Sequence, residues 1–182
     1  MINLAADEIC AGVLLRKNPA LVRLLVDYIV DPESSFADTA CVILSNLSRG
    51  KANSELVFKH FETTDPQPAT TTAAEANGEE KQPAQAVPDK TKSKASSDVT
   101  FERLLQVFCT ETYNKKNSLD YLAPFICNLT QLEKARAKIL NDDLVLMRLM
   151  PYTTYAKSVI RRGGIVGSIK NCCFNYGWLL KF

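Results

Sequence analysis

Histidine is almost missing: His60 is the only one in 182 residues. That excludes most zinc sites and nucleophile–base pairs, which draw on more than one imidazole or on a dense thiol cluster. Tryptophan occurs once, at Trp178, and none of the six cysteines forms a CxxC pair. No apolar run approaches the roughly 18 residues needed to cross a bilayer. The opening Met1-Ile2-Asn3-Leu4-Ala5-Ala6-Asp7-Glu8 has no basic segment and puts two acids where a signal peptide would be apolar. Together these absences argue against a secreted, disulfide-stapled or membrane-spanning chain. They point to a cytoplasmic location, with the nucleus as the alternative. The cysteines (Cys10, Cys41, Cys109, Cys127, Cys172, Cys173) fall inside apolar helical patterns and read as small core residues.

What is present is unevenly spread. From Glu62 to Asp98 the chain is ETTDPQPATTTAAEANGEEKQPAQAVPDKTKSKASSD, with Val87 its one large apolar residue and four of the eight prolines. A stretch that buries so little cannot offset the entropy of ordering it, so residues 62–98 are expected to be a disordered polar insertion. It separates two apolar regions, 1–61 and 99–182. Charge is skewed as well. The formal net of +2 hides a final segment, 144–182, with six basic residues and no acidic one.

Four asparagines supply a register: Asn3 in INLAAD, Asn46 in VILSNLSRG, Asn128 in FICNLTQLE and Asn171 in SIKNCCFNY. They stand 43, 82 and 43 residues apart, and setting aside the 37 residues of the insertion reduces the middle gap to 45. A period of about 40 to 47 residues is that of stacked HEAT or armadillo helical units. The last three asparagines each lie near the end of a helix-period stretch: Phe36, Ala40, Leu44 and Leu47; Leu119, Leu122, Ile126 and Leu129; Val159, Gly163, Val166 and Cys173. Asn18-Pro19 reads as a cap with Pro at the first helical position, Ser34 or Ser35 as the next cap, and Arg49-Gly50 as a stop. No alternating β-type run is present. The expected fold is an all-α armadillo/HEAT-like helical repeat solenoid. Residues 1–61 form its first repeats, the first unit being incomplete, and 99–182 the later ones.

Two motifs are explained by that register. Asn46-Leu47-Ser48 and Asn128-Leu129-Thr130 match a glycosylation sequon, yet both occupy one point of a helical repeat in a chain without a signal peptide. Gly163-Gly164-Ile165-Val166-Gly167 lacks the strand and the Lys-Ser/Thr end of a phosphate loop; it reads as a small-residue face that lets a neighbouring helix approach closely. No cofactor or metal site is expected.

Residues 148–180 carry a more specific signal: Arg148-Leu149-Met150-Pro151-Tyr152-Thr153, then the block from Arg161-Arg162-Gly163-Gly164 to Asn171-Cys172-Cys173-Phe174, then Trp178-Leu179-Leu180. This pattern resembles the brain-protein-16 family, also called HGH-one homologues. The resemblance implies an armadillo-type fold and a non-enzymatic chaperone or adaptor role, assisting the folding of eukaryotic translation elongation factor two with the cytosolic chaperonin. It also implies further helical units, so that Met1 and Phe182 read as cuts exposing Val166, Ile169, Trp178 and Leu179.

Candidate contact residues for a protein partner are Asn46, Asn128 and Asn171, whose amides could pair with an extended peptide backbone, and the basic residues Lys157, Arg161, Arg162 and Lys170. The alternatives stay open: the asparagines can satisfy neighbouring repeats, and the bases can face carboxylates of a downstream repeat. Lys157 and Arg161, four apart, would repel on a helix. A general protein-binding scaffold or a nuclear-import-type cargo adaptor is the alternative function. Aromatic residues are too sparsely interleaved with the bases to favour nucleic acid. Catalysis would need Cys109, Cys127 or Cys172 beside His60.

Overall fold

The computed structural model describes residues 2–62 and 100–174, and among them every regular element is helical. The expected insertion lies, apart from Glu62, outside the described residues, and so do Trp178 and Leu179. The chain runs α1 (Ile2–Ala6), α2 (Glu8–Lys17), α3 (Ala20–Val30), α4 (Ala37–Leu47), α5 (Lys51–Glu62), α6 (Phe101–Cys109), α7 (Leu122–Leu129), α8 (Glu133–Leu140) and α9 (Asp143–Leu149). A 3-10 turn, Met150–Thr154, then leads to α10 (Val159–Cys173).

Local chemistry sets the helix starts. The Asp7 carboxylate accepts the Cys10 N–H at 2.8 Å, Thr100 Oγ1 accepts Arg103 N–H at 3.1 Å, and Ser158 Oγ accepts Arg161 N–H at 3.2 Å. Gly50, at φ 72°, turns the chain after α4, where the Arg49-Gly50 stop was expected. Asn18 differs from expectation. Its side chain donates to Leu14 O at 3.3 Å and so closes α2; α3 begins behind Pro19 with no side-chain cap. Ser34 Oγ accepts the Phe36 N–H at 3.2 Å, just ahead of α4.

The helices bearing the register asparagines, α1, α4, α7 and α10, lie in one row, each packed on the next; α2 packs on α5, and α6 on α9. At the centre, Phe58 and Phe61 of α5 meet Phe101 of α6 and Phe125 of α7, with ring centroids 5.7 to 6.5 Å apart. Each such ring buried contributes about 1.5–3 kcal/mol. Phe61 and Phe101 flank the long polar stretch, so the contact that joins the two apolar regions sits at its two ends. Lengthening such a connection adds little closure entropy.

The buried face of α10 is not the expected stripe. Val159, Gly163, Val166 and Cys173 are exposed, and Arg161, Gly164, Ile165, Ser168 and Cys172 point inward. The reason is close approach. A Cβ on Gly164 would lie 2.4 Å from the backbone carbon of Ala123 and 2.6 Å from Pro124 N, and one on Gly167 would lie 2.6 Å from Cys127 Sγ. The small-residue face therefore exists, through Gly164 and Gly167 against α7. Gly163 faces open space. Phe36 likewise leaves the α4 stripe: it is exposed and pairs with Tyr28 at 5.8 Å.

The loop from α6 to α7 is bonded to the α3–α4 corner. Tyr113 Oη donates to Val30 O at 2.6 Å, the Asn114 amide to Ser34 O at 2.8 Å and Asp31 O at 3.2 Å, and Asn117 Nδ2 to Ser34 O at 2.8 Å. Asn114 Oδ1 accepts the N–H groups of Lys116 and Asn117, both at 2.8 Å. Asp38 receives the Leu119 N–H at 2.7 Å and holds this leucine at φ 57°, a backbone conformation that β-carbon-bearing residues rarely adopt. Asn114→Ala should lower the unfolding free energy by about 2 kcal/mol in urea titration, because several buried bonds net about 0.5–1.5 kcal/mol each and add incompletely. An unchanged midpoint would mean that water replaces them at no cost.

Candidate binding surface

The three register asparagines that follow α1 make one repeated contact. Asn46 Nδ2 donates to Ile2 O at 3.5 Å, Asn128 Nδ2 to Ser45 O at 2.8 Å, and Asn171 Nδ2 to Cys127 O at 3.3 Å. Each acceptor is the residue just before the preceding register asparagine. In the two later contacts a hydroxyl adds a second bond, Ser48 Oγ at 3.1 Å and Thr130 Oγ1 at 3.0 Å. The side chains are half-buried, and among the described residues their Oδ1 atoms accept no hydrogen bond. The amide donors thus join neighbouring helices, and what faces outward is an acceptor. Asn53, which sequence reading passed over, makes a similar contact on the other row, donating to Glu8 O at 2.9 Å.

The basic residues are not gathered on one surface. Arg161 is inside. Its side chain is 7% exposed, Nη2 donates to Phe108 O at 2.7 Å, and the guanidinium lies 4.4 Å from the Phe108 ring centroid and 5.0 Å from that of Tyr152. It therefore does not present a charge to a partner as the sequence reading expected. Lys157 precedes α10, so the repulsive i, i+4 pair with Arg161 never forms. Lys157 Nζ lies 3.9 Å from Glu111 and Arg161 Nε 3.9 Å from Asp120; both acids belong to the upstream α6–α7 loop. Arg162, half-buried, donates to Tyr155 O at 2.9 Å, and Lys170 is exposed. Among the described residues neither has an ion-pair partner.

Cys41 and Cys172 are buried as expected, Cys109 and Cys127 are half-buried, and Cys10 and Cys173 are exposed, contrary to their reading as core residues. Burial pushes the Cys109 and Cys172 thiols up to about 11 and raises Cys41 and Cys127 as well. These thiols are protonated near neutrality, the opposite of an activated nucleophile. No hydrogen bond joins His60 to any thiol among the described residues. No group of three His, Cys, Asp or Glu residues there is placed to hold a metal ion, and no described helix is long and apolar enough to cross a membrane.

Burial lowers the His60 pKa below its ordinary 6.5. Between the folded value and 6.5 the unfolded chain binds more protons, so stability is full above 6.5 and is lost as pH falls through the folded value. His60→Gln should therefore lose less stability than the unaltered chain on acidification from pH about 7.5 to about 5.5, measured by urea unfolding at each pH. Parallel losses in the two chains would contradict this.

These residues define an all-helical protein whose neighbouring helices are joined through asparagine amides. A family model described as "Domain of unknown function (DUF383)" matches residues 28–179, and the chain belongs to that family. It is similar to Protein HGH1 homolog of Danio rerio, 40% identical over 185 residues that cover 100% of this chain and 40% of the relative. The corresponding human protein is 36% identical over 184 residues, covering 99% and 40%, and that of Drosophila melanogaster 30% over 183 residues, covering 96% and 41%. The chain spans about two fifths of the length of these curated relatives. The resemblance carried by residues 148–180 thus agrees with the family at the level of the HGH-one homologues.

Proposed function

We propose that this chain is a section of an armadillo-type helical solenoid that acts by binding other proteins and catalyses nothing itself. The observation that carries the reading is the asparagine contact: one amide, one acceptor register, three successive helices. Stacked units of common geometry join in this way, each touching only its neighbours. The raised thiol pKa values and the lone imidazole support a binding role over a thiol enzyme.

The resemblance to the HGH-one homologues supplies the partners: translation elongation factor two as a folding client and the cytosolic chaperonin as its co-worker, in the cytoplasm or nucleus. Lys157, Arg162 and Lys170 are the proposed charged contacts, with Arg161 acting from inside through the Tyr155 turn. Asn46, Asn128 and Asn171 offer Oδ1 to a partner's N–H. An import-type cargo adaptor is the poorer reading, because holding a peptide backbone with both amide groups would break the bonds that join the helices. The same bonds are compatible with a general protein-binding scaffold.

Affinity capture with this chain from a eukaryotic lysate is expected to enrich elongation factor two or chaperonin subunits, and a Lys157→Glu, Lys170→Glu double variant should recover less. A capture that recovers neither, from a chain shown to be folded by circular dichroism, overturns the specific assignment.

A further inference from the structure

The α6–α7 loop meets a neighbouring corner on each side, and the two joints differ. Toward residues 30–38 it is closed by the Tyr113, Asn114 and Asn117 bonds. Toward Tyr155–Arg161 it leaves a cavity of about 340 Å³, lined among others by Glu111, Ser118, Asp120, Lys157, Ser158 and Arg161. That volume lies in the range of about 300–1,000 Å³ typical of ligand sites.

The polar atoms of this cavity are incompletely paired in a particular way. Arg161, with its side chain 7% exposed, spends Nη2 on Phe108 O, but its buried Nε has no hydrogen-bond partner. Asp120 Oδ1 stands 3.9 Å from that Nε and accepts nothing among the described residues, Oδ2 being taken by Ser158 Oγ at 2.7 Å. At the mouth, Lys157 Nζ and Glu111 Oε2 are also 3.9 Å apart. Both separations exceed a hydrogen bond. A buried donor left in that state is costly.

The pairing selects the ligand. An anion drawn to Arg161 and Lys157 would meet Asp120 and Glu111, and a cation would meet the reverse. A neutral group that accepts from Nε while donating to Oδ1 satisfies both, and main-chain peptide units and Asn or Gln carboxamides are such groups. The adjoining joint already shows the chemistry, since there the amides of Asn114 and Asn117 fill the space between two corners.

We propose that the cavity between the α6–α7 loop and the Tyr155–Arg161 turn docks a short extended segment of a partner protein, whose neutral amide groups bridge Arg161 Nε and Asp120 Oδ1. This rests on the interaction-protein reading and gives it a place, beside the N-terminal ends of α7 and α10, whose C-terminal ends carry Asn128 and Asn171.

The test is a titration of the isotope-labelled full chain with the blocked peptide acetyl-Gly-Asn-Gly-amide, followed by backbone amide signals, with acetate and inorganic phosphate as separate arms. The peptide should shift the signals of Ser118, Leu119, Asp120, Ser158 and Arg161 by about 10 mM, an affinity appropriate to so small a probe, and the two anions should not. Ser118→Trp, a change at an exposed lining position, fills the cavity and should weaken the response at least about tenfold. Thr110→Trp serves the same purpose if the first variant does not fold. No shift at those signals, an equal response to either anion, or an undiminished response in the filled variants each overturns the proposal. Loss of lysate capture with peptide binding intact would instead remove only the assignment of the partner. Capture that persists unchanged in a filled variant, with no peptide response, would remove only the site.

Discussion

Replacing Arg161 with alanine is expected to lower the unfolding free energy by about 3 kcal/mol and the melting temperature by about 10 °C. Three losses combine. The guanidinium is stacked among Phe108, Tyr152 and Tyr155, at 4.4, 5.0 and 5.7 Å from their ring centroids; buried cation–aromatic contacts are worth up to about 2 kcal/mol. Nη2 satisfies Phe108 O, a carbonyl in the last turn of α6 that no continuing helix can reach. Truncation also leaves a void among rings. Against this, Asp120 keeps a side chain 25% exposed, so its abandoned charge is partly solvated, and the total stays below that of a fully buried broken pair. Arg161→Lys should recover less than half of the loss, because an ammonium cannot stack on three rings while also reaching the carbonyl. A loss under about 1 kcal/mol for the alanine variant would show that the site collapses at little cost.

Adjacent glycines should respond with opposite sign. Gly164→Ala is expected to destabilise by about 3 kcal/mol, since the new carbon would lie 2.4 Å from the Ala123 backbone and no side chain can move aside to admit it. Helix propensity alone favours alanine by about 1 kcal/mol, so the strain of parting α7 from α10 must exceed that. Gly163→Ala meets nothing within 4 Å and should stabilise by about 0.5–1 kcal/mol. Differential scanning calorimetry of the two variants decides the matter. Two melting temperatures that rise together would mean that α10 sits further from α7 than described.

These two sites also mark the limit of what periodicity reveals. The apolar spacing on α10 selected Val159, Gly163, Val166 and Cys173, and all four are exposed. An apolar stripe signals burial when large side chains fill the space between helices; here the helices touch through glycine, which carries no volume to read. In sequence the Lys115-Lys116-Asn117 stretch reads as no more than a short charged loop. Its neighbour Asn114, 3% exposed, bonds groups 80 and 83 residues away. An Asn-Lys-Lys-Asn run announces a turn and says nothing about a distant corner. Asp120 and Glu111 could have been suspected as partners for Arg161 and Lys157 by charge alone, but nothing in the chain singles them out from the other acids.

By itself, the sequence determined the helical class, the turn at Gly50 and the register that sets four helices in a row, because composition, periodicity and a 43- to 45-residue spacing are properties of the chain read in order. It also identified the asparagines that carry that row. Tertiary structure alone decided where their amides go, which face of α10 is inside, and that a cation from an acid-free segment ends up buried against Phe108, 53 residues earlier. Those outcomes depend on distances between groups remote along the chain, and hydrogen bonding and burial act on distance, whatever the order of residues.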